Sequence, residues 1–123
     1  MQPAARTWRR KFQDAFRGLK AGVRGQSSFF VHFFVTAIVL AAGVVLRVTL
    51  VEWSLLAIAI FGVLTAEMFN SALESFAKAI TDEHHPHVGA ALDIGSAAVL
   101  LAACGAVTIG LLVFVHRLWV MFT

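Results

Sequence analysis

Charge is what this chain has least of. Only 14% of its 123 residues are Asp, Glu, Lys or Arg, whereas 59% are hydrophobic and the mean hydropathy is +0.82. A soluble domain of this size has too little interior to hide so much apolar surface, so membrane residence is the first inference. Cysteine is reduced to Cys104. One thiol excludes an intrachain disulfide, and its apolar helical setting leads us to expect a buried, inert side chain. Gly-x-x-x-x-Gly-Lys-Ser/Thr and Gly-x-Gly-x-x-Gly are both missing, so no standard soluble nucleotide fold is indicated. The first 25 residues contain no apolar stretch with a small-residue cleavage site, so no cleavable signal peptide is expected.

What is present divides into one basic segment and three apolar ones, the length of a single domain spanning 1–123. Residues 6–24 read as an interfacial helix. Trp8, Phe12, Ala15, Phe16, Leu19 and Val23 recur at helical spacing, and seven of the ten positive charges (Arg6, Arg9, Arg10, Lys11, Arg17, Lys20, Arg24) fill the remaining faces. Such a helix lies flat on anionic lipid. The bland reading is a solvated tail, but an aromatic stripe would have no use there. With these charges assigned to lipid, no nucleic-acid partner is expected.

Three membrane spans follow, at 29–46, 53–80 and 89–119, each long enough for ~30 Å of hydrocarbon. Trp53 and Trp119 mark interfacial ends. The excess of Lys and Arg before the first span places the N-terminus in the cytoplasm, and the loop 81–88 with it. Arg117 and His116 at the outer end are a small breach of that rule. The fold class is therefore an all-α membrane protein: an N-terminal amphipathic interfacial helix plus three transmembrane helices. Pro86 is expected to end any helix arriving from the second span, and Gly89 to let the chain turn into the third. Ala98, Ala102, Ala106 and Gly110, spaced by four, form a row that lets helices approach closely and favours self-association.

The informative feature is polar. Glu67, Asn70, Ser71 and Glu74 follow directly on the apolar run of the second span. At about 100° per residue they share an arc of roughly 100°. Counted from Trp53, Glu67 lies about 21 Å and Glu74 about 31 Å inward, which brings Glu74 to the cytoplasmic boundary. Carboxylates so close to hydrocarbon mark a working site facing protein, metal or water. Hard oxygen donors suit Mg²⁺, and a carboxylate in a poorly polar setting suits a general base. Asp93 reads equally as a site residue or as an acid that neutralises a helix N-terminus. Lys78, one turn beyond Glu74, reads first as an i,i+4 ion pair and second as a phosphate contact. His84, His85 and His87 lack regular metal-ligand spacing and fit a structural or nucleotide-contacting loop. His32 reads as a satisfied donor inside the bundle.

Three stretches carry a resemblance: Glu67-Met-Phe-Asn70-Ser71-Ala72-Leu73-Glu74, Ile80-Thr-Asp-Glu-His-His-Pro86, and Asp93-Ile-Gly-Ser-Ala-Ala-Val99. Together with Val51-Glu-Trp53 and the order of segments, they resemble the small bacterial diacylglycerol kinase and undecaprenol kinase family over most of the chain. The loop wording is closer to the undecaprenol branch and the Gly95-Ser-Ala-Ala-Val wording to the diacylglycerol branch. The resemblance implies a homotrimeric enzyme of the bacterial inner membrane. It would transfer the γ-phosphoryl group of ATP, with Mg²⁺, to a lipid alcohol, diacylglycerol or undecaprenol. It implies that Glu67 is the base and that Asn70 holds the phosphoryl group. Glu74 would bind the metal, joined by Gln26, and Glu83, His84, His85 and Asp93 would line the nucleotide site. Three positions depart from the family pattern. Gln26 stands where a metal-binding Glu is usual, Leu92 where a Lys precedes the Asp, and Lys78 where an Asp follows the metal Glu. Lys78, on the correct helical face, is the candidate to supply the missing cation. The alternatives are a catalytically impaired relative that binds lipid or nucleotide without turnover, and a small transporter, for which no inverted repeat is seen.

Overall fold

The computed structural model describes residues 5–24, 27–80 and 82–123. Gln26 and Thr81 therefore fall outside the described residues. Four helices follow in order: α1 (Trp8–Val23), α2 (Ser27–Val45), α3 (Leu50–Ile80) and α4 (Pro86–Phe122). The last three are long and apolar enough to cross a membrane.

Helix α1 is capped by Thr7, whose hydroxyl accepts from the Arg10 N–H at 3.2 Å. Asp14 gathers Arg6 at 2.8 Å, Arg17 at 3.4 Å and Arg10 at 3.7 Å. The Arg6 hydrogen bond first, with Arg17 and Arg10 behind it, holds the Asp14 carboxyl below its ordinary range. The apolar stripe stays open: Trp8, Phe12, Phe16 and Leu19 are all exposed, and α1 buries none of its residues. An amphipathic helix with an uncovered apolar face is the form suited to a lipid surface.

The turn from α2 to α3 ends one helix and starts the next within a few residues. Arg47 takes a left-handed conformation (φ 52°). Its N–H donates to the Val44 carbonyl at 3.3 Å, and the Val48 N–H reaches back to the Gly43 carbonyl at 3.2 Å. This is the Schellman pattern, with arginine where glycine is usual, at a cost of about 1–2 kcal/mol. From α4, Arg117 Nε donates to the Leu46 carbonyl at 2.6 Å and satisfies a helix-end acceptor. Arg117, the cation that strained the charge rule, thus has a structural job. Thr49 and Glu52 then form a reciprocal capping box: the Glu52 N–H donates to Thr49 Oγ1 at 3.2 Å, and the Thr49 N–H donates to Glu52 Oε1 at 2.9 Å. That box starts α3 at Leu50, three residues before the expected Trp53.

Helix α4 begins at Pro86. Helix α3 has already ended at Ile80, so Pro86 opens α4 rather than stopping α3, and Gly89 lies inside the first turns of α4 rather than before it. The missing proline N–H would be unpaired in a first turn anyway. His85 is the cap, its Nδ1 accepting from the His87 N–H at 3.2 Å. At 37 residues α4 is about 55 Å long, and α3 at 31 residues about 46 Å; both overrun ~30 Å of hydrocarbon.

Helices α3 and α4 pack along each other, while α1 and α2 touch α3 more lightly. Val48, Leu56 and Val113 form the buried cluster near the α2–α3 turn, with Trp53 against it. The Trp53 ring lies so close to Gly43 that a Cβ there would sit 2.4 Å from Cη2. The accessible surface is 9567 Å², whereas a compact 13.3 kDa globule would expose about 6,500 Å². Much of the surplus is apolar side chain on α2, α3 and α4, which lipid or further protein must cover. Cys104 belongs to this surface. It is exposed on α4 rather than buried, because a helix apolar all round has no side that composition marks as inward.

Candidate active site

The polar stripe of α3 turns inward. Glu67 is 4% exposed, and Asn70 and Ser71 are 8% exposed. A buried carboxylate is costly unless its oxygens find partners. Both come from α2. Ser28 Oγ donates to Glu67 Oε1, and His32 Nε2 stands 3.4 Å from Glu67 Oε2. One turn further along α3, Asn70 Nδ2 donates to Glu74 Oε1 at 3.1 Å. Asn70 Oδ1 and Ser71 Oγ are buried and, among the described residues, meet no hydrogen-bond partner. Polar atoms left in this state are expected where a ligand or ion completes the set.

Helix α4 presses on the same stripe through Gly95. A Cβ at that position would lie 2.5 Å from Asn70 Oδ1 and 3.0 Å from Leu73 Cδ1. Gly95 therefore sets both the approach of α4 and its rotation. Asp93 stands two residues earlier, about 200° around the helix, and is exposed.

Two cavities flank the stripe. One, of ≈ 690 Å³ between α1 and α3, is lined by Arg24, Met68, Ser71, Glu74, Ser75 and Lys78 among others. The second, of ≈ 410 Å³ between α3, the loop and α4, is lined by Glu74, Lys78, Glu83, His84, His85 and Leu92 among others. Glu74 and Lys78 belong to both. A third space, an apolar groove of ≈ 440 Å³ between α2, α3 and α4, has His32 in its lining.

The structure thus gathers Glu67, Asn70 and Glu74 on one face, and Glu74, Lys78, Glu83, His84 and His85 around one cavity. Asp93 is not in that lining, where its neighbour Leu92 stands instead. Ser28, His32 and Gly95 were not legible as site residues. The only hint was the Ser28-x-x-x-His32 spacing, which puts two polar groups on one face of an otherwise apolar helix. Among the described residues no three His, Cys, Asp or Glu side chains converge on one point. Mg²⁺, which takes one or two protein carboxylates beside phosphate oxygens, is the cation whose habits match the half-buried Glu74 carboxylate.

Comparison with known proteins agrees with this reading of the fold. Residues 13–114 match the family model described as prokaryotic diacylglycerol kinase. The chain is 33% identical over 109 residues to an undecaprenol kinase of Bacillus subtilis (strain 168), covering 89% of each chain. It is 32% identical over 102 residues to a diacylglycerol kinase of Haemophilus influenzae, covering 81% of this chain and 86% of the other. The chain belongs to the prokaryotic diacylglycerol kinase family, and it is a membrane lipid kinase.

Proposed function

We propose that this lipid kinase transfers the γ-phosphoryl group of ATP to the hydroxyl of a membrane lipid alcohol, undecaprenol or diacylglycerol, at the cytoplasmic face of the bacterial inner membrane. The observation that supports this most is the buried Glu67 carboxylate, which shares one helical stripe with Asn70 and with Glu74, and it is Glu74 that lines both cavities.

In this reading Glu67 is the general base. It takes the proton as the alcohol O–H breaks, the oxygen's electron pair forms the new bond to phosphorus, and the bond to the leaving ADP oxygen breaks with its pair going to ADP. Asn70 steadies the transferring group. Lys78, on the wall of both cavities, supplies positive charge where Leu92 supplies none. Glu83, His84 and His85 meet the nucleotide in the α3–loop–α4 cavity, and the α1–α3 cavity takes the lipid head. Glu74, with Gln26, would hold Mg²⁺, which when bound neutralises phosphate charge. Residues 1–123 act as one domain, with the N-terminus cytoplasmic. Asp93 points away from its own α3 stripe, so its part in a nucleotide site is played toward a neighbouring copy in a homotrimer.

Undecaprenol is the alcohol we favour, on the Ile80-to-Pro86 loop wording. The reading of a catalytically impaired member has one observation behind it, the apolar Leu92 in the nucleotide cavity. Purified protein in mixed micelles with MgATP and each alcohol in turn separates the two. Phosphate appearing on polyprenol but not on diacylglycerol fits the proposal, phosphate on diacylglycerol alone reverses the substrate preference, and phosphate on neither favours the impaired reading.

A further inference from the structure

Glu67 reaches across a helix interface for both of its partners, and both come from one face of α2. Ser28 and His32 are four residues apart, so their side chains stack on that face. One takes Oε1 and the other takes Oε2. Phe29, between them in sequence, is 2% exposed, among the most buried of the described residues, so this face of α2 is turned into the protein. Helix α2 also meets α3 near its other end, where Gly43 lies against the Trp53 ring; the contact at its start is the one that reaches the carboxylate.

We propose that Ser28 and His32 clamp the Glu67 carboxylate in position, and that His32 switches its readiness to accept a proton. This rests on Glu67 acting as the base, and His32 is a positioning residue rather than a catalytic one. A carboxylate has about four acceptor sites, and the clamp uses two, leaving room for the substrate hydroxyl. A neutral imidazole donates one hydrogen bond and leaves the carboxylate basic. A protonated imidazole forms an ion pair with it and holds it in the charged form, which opposes proton uptake. Histidine is the side chain whose charge most readily responds to its surroundings near neutral pH.

Among the described residues few other groups face this pair. On α2 there is Ser28. On α3 there are Asn70 and, through it, Glu74. Toward α4, His32 faces the apolar groove, where the α4 lining is Ala103, Ala106, Val107, Gly110, Leu111 and Phe114 and nothing titrates. The imidazole thus stands between that groove and the acid, 20% exposed at the side chain against 5% for Glu67.

Two measurements test the proposal. The first needs no turnover: thermal unfolding in micelles of His32→Leu, Glu67→Gln and the double variant. The clamp requires non-additive losses, with His32→Leu costing clearly less once Glu67 is already Gln. Additive losses overturn it. The second is the kcat profile from pH 5 to 9. In His32→Gln, which keeps a donor but cannot titrate in this range, the acidic limb should move down by about one pH unit, with kcat at pH 8 reduced about 3-fold and KM for both substrates within about twofold. An acidic limb that stays in place overturns the switch. Wild-type protein inert toward both alcohols would end the assignment of Glu67 as base, while the unfolding cycle would still decide the clamp.

Discussion

Around Arg47 the turn between α2 and α3 answers the backbone groups it leaves open, whereas around Asn70 two buried polar atoms stay unanswered among the described residues. At the α2–α3 turn a Schellman pattern, a reciprocal Thr49–Glu52 box and the Arg117 hydrogen bond to Leu46 complete the helix ends. At the polar stripe Asn70 Oδ1 and Ser71 Oγ have no partner among the described residues, beside a buried carboxylate and two open cavities. One end is finished by the chain itself. The other is left for something else to finish, which is how a binding site differs from a joint.

The contrast breaks most sharply at Glu67. Glu67→Gln should lower kcat about 10³-fold with helicity by circular dichroism unchanged; activity within a few fold of wild type would make the polar stripe structural as well. Lys78→Ala should follow, with a loss of about 10²-fold in kcat and normal folding. Unchanged turnover would remove Lys78 from the site. A matched pair of glycines sharpens the comparison. Gly95→Ala and Gly43→Ala each place a Cβ about equally close to a neighbour, 2.5 Å from Asn70 Oδ1 and 2.4 Å from Trp53 Cη2. Both should cost about 1–3 kcal/mol in stability. Only Gly95→Ala should also lower kcat, by about 10-fold, because only it displaces a site residue.

The smallest effect is expected at Asp14 of α1, which lines neither cavity. Asp14 is held below its usual range by Arg6, then Arg17 and Arg10. A folded-state pKa below the unfolded one stabilises above the unfolded value and is lost as pH falls through the folded one. Helicity should therefore hold from neutral pH down to the unfolded carboxyl value, about 4, and decline below it. In Asp14→Asn the pH 7 to pH 3 difference should shrink.

How much of this could be read in the sequence follows from what periodicity encodes. The stripe of Glu67, Asn70 and Glu74 was legible because one helix fixes its own angles. The partners of Glu67 were not, since Ser28 and His32 depend on how α2 is rotated against α3. The same reason hid the outward aspect of Asp93: Gly95 against Asn70 sets the turn of α4, and an apolar helix carries little sign of it. Cys104 was misplaced for that reason too. Pro86 was read as a stop because the residue that breaks one helix also suits the first position of another.

Glu74 and Lys78 form a wall shared by two compartments, one open toward α1 and the other toward the histidine loop. A common wall with separate doors lets both substrates be present together without either blocking the other's entry. The enzyme should thus pass through a ternary complex, with direct hand-over between the two occupants and no phosphorylated protein on the way. Double-reciprocal plots at several fixed concentrations of the second substrate should intersect, where a ping-pong route would give parallel lines.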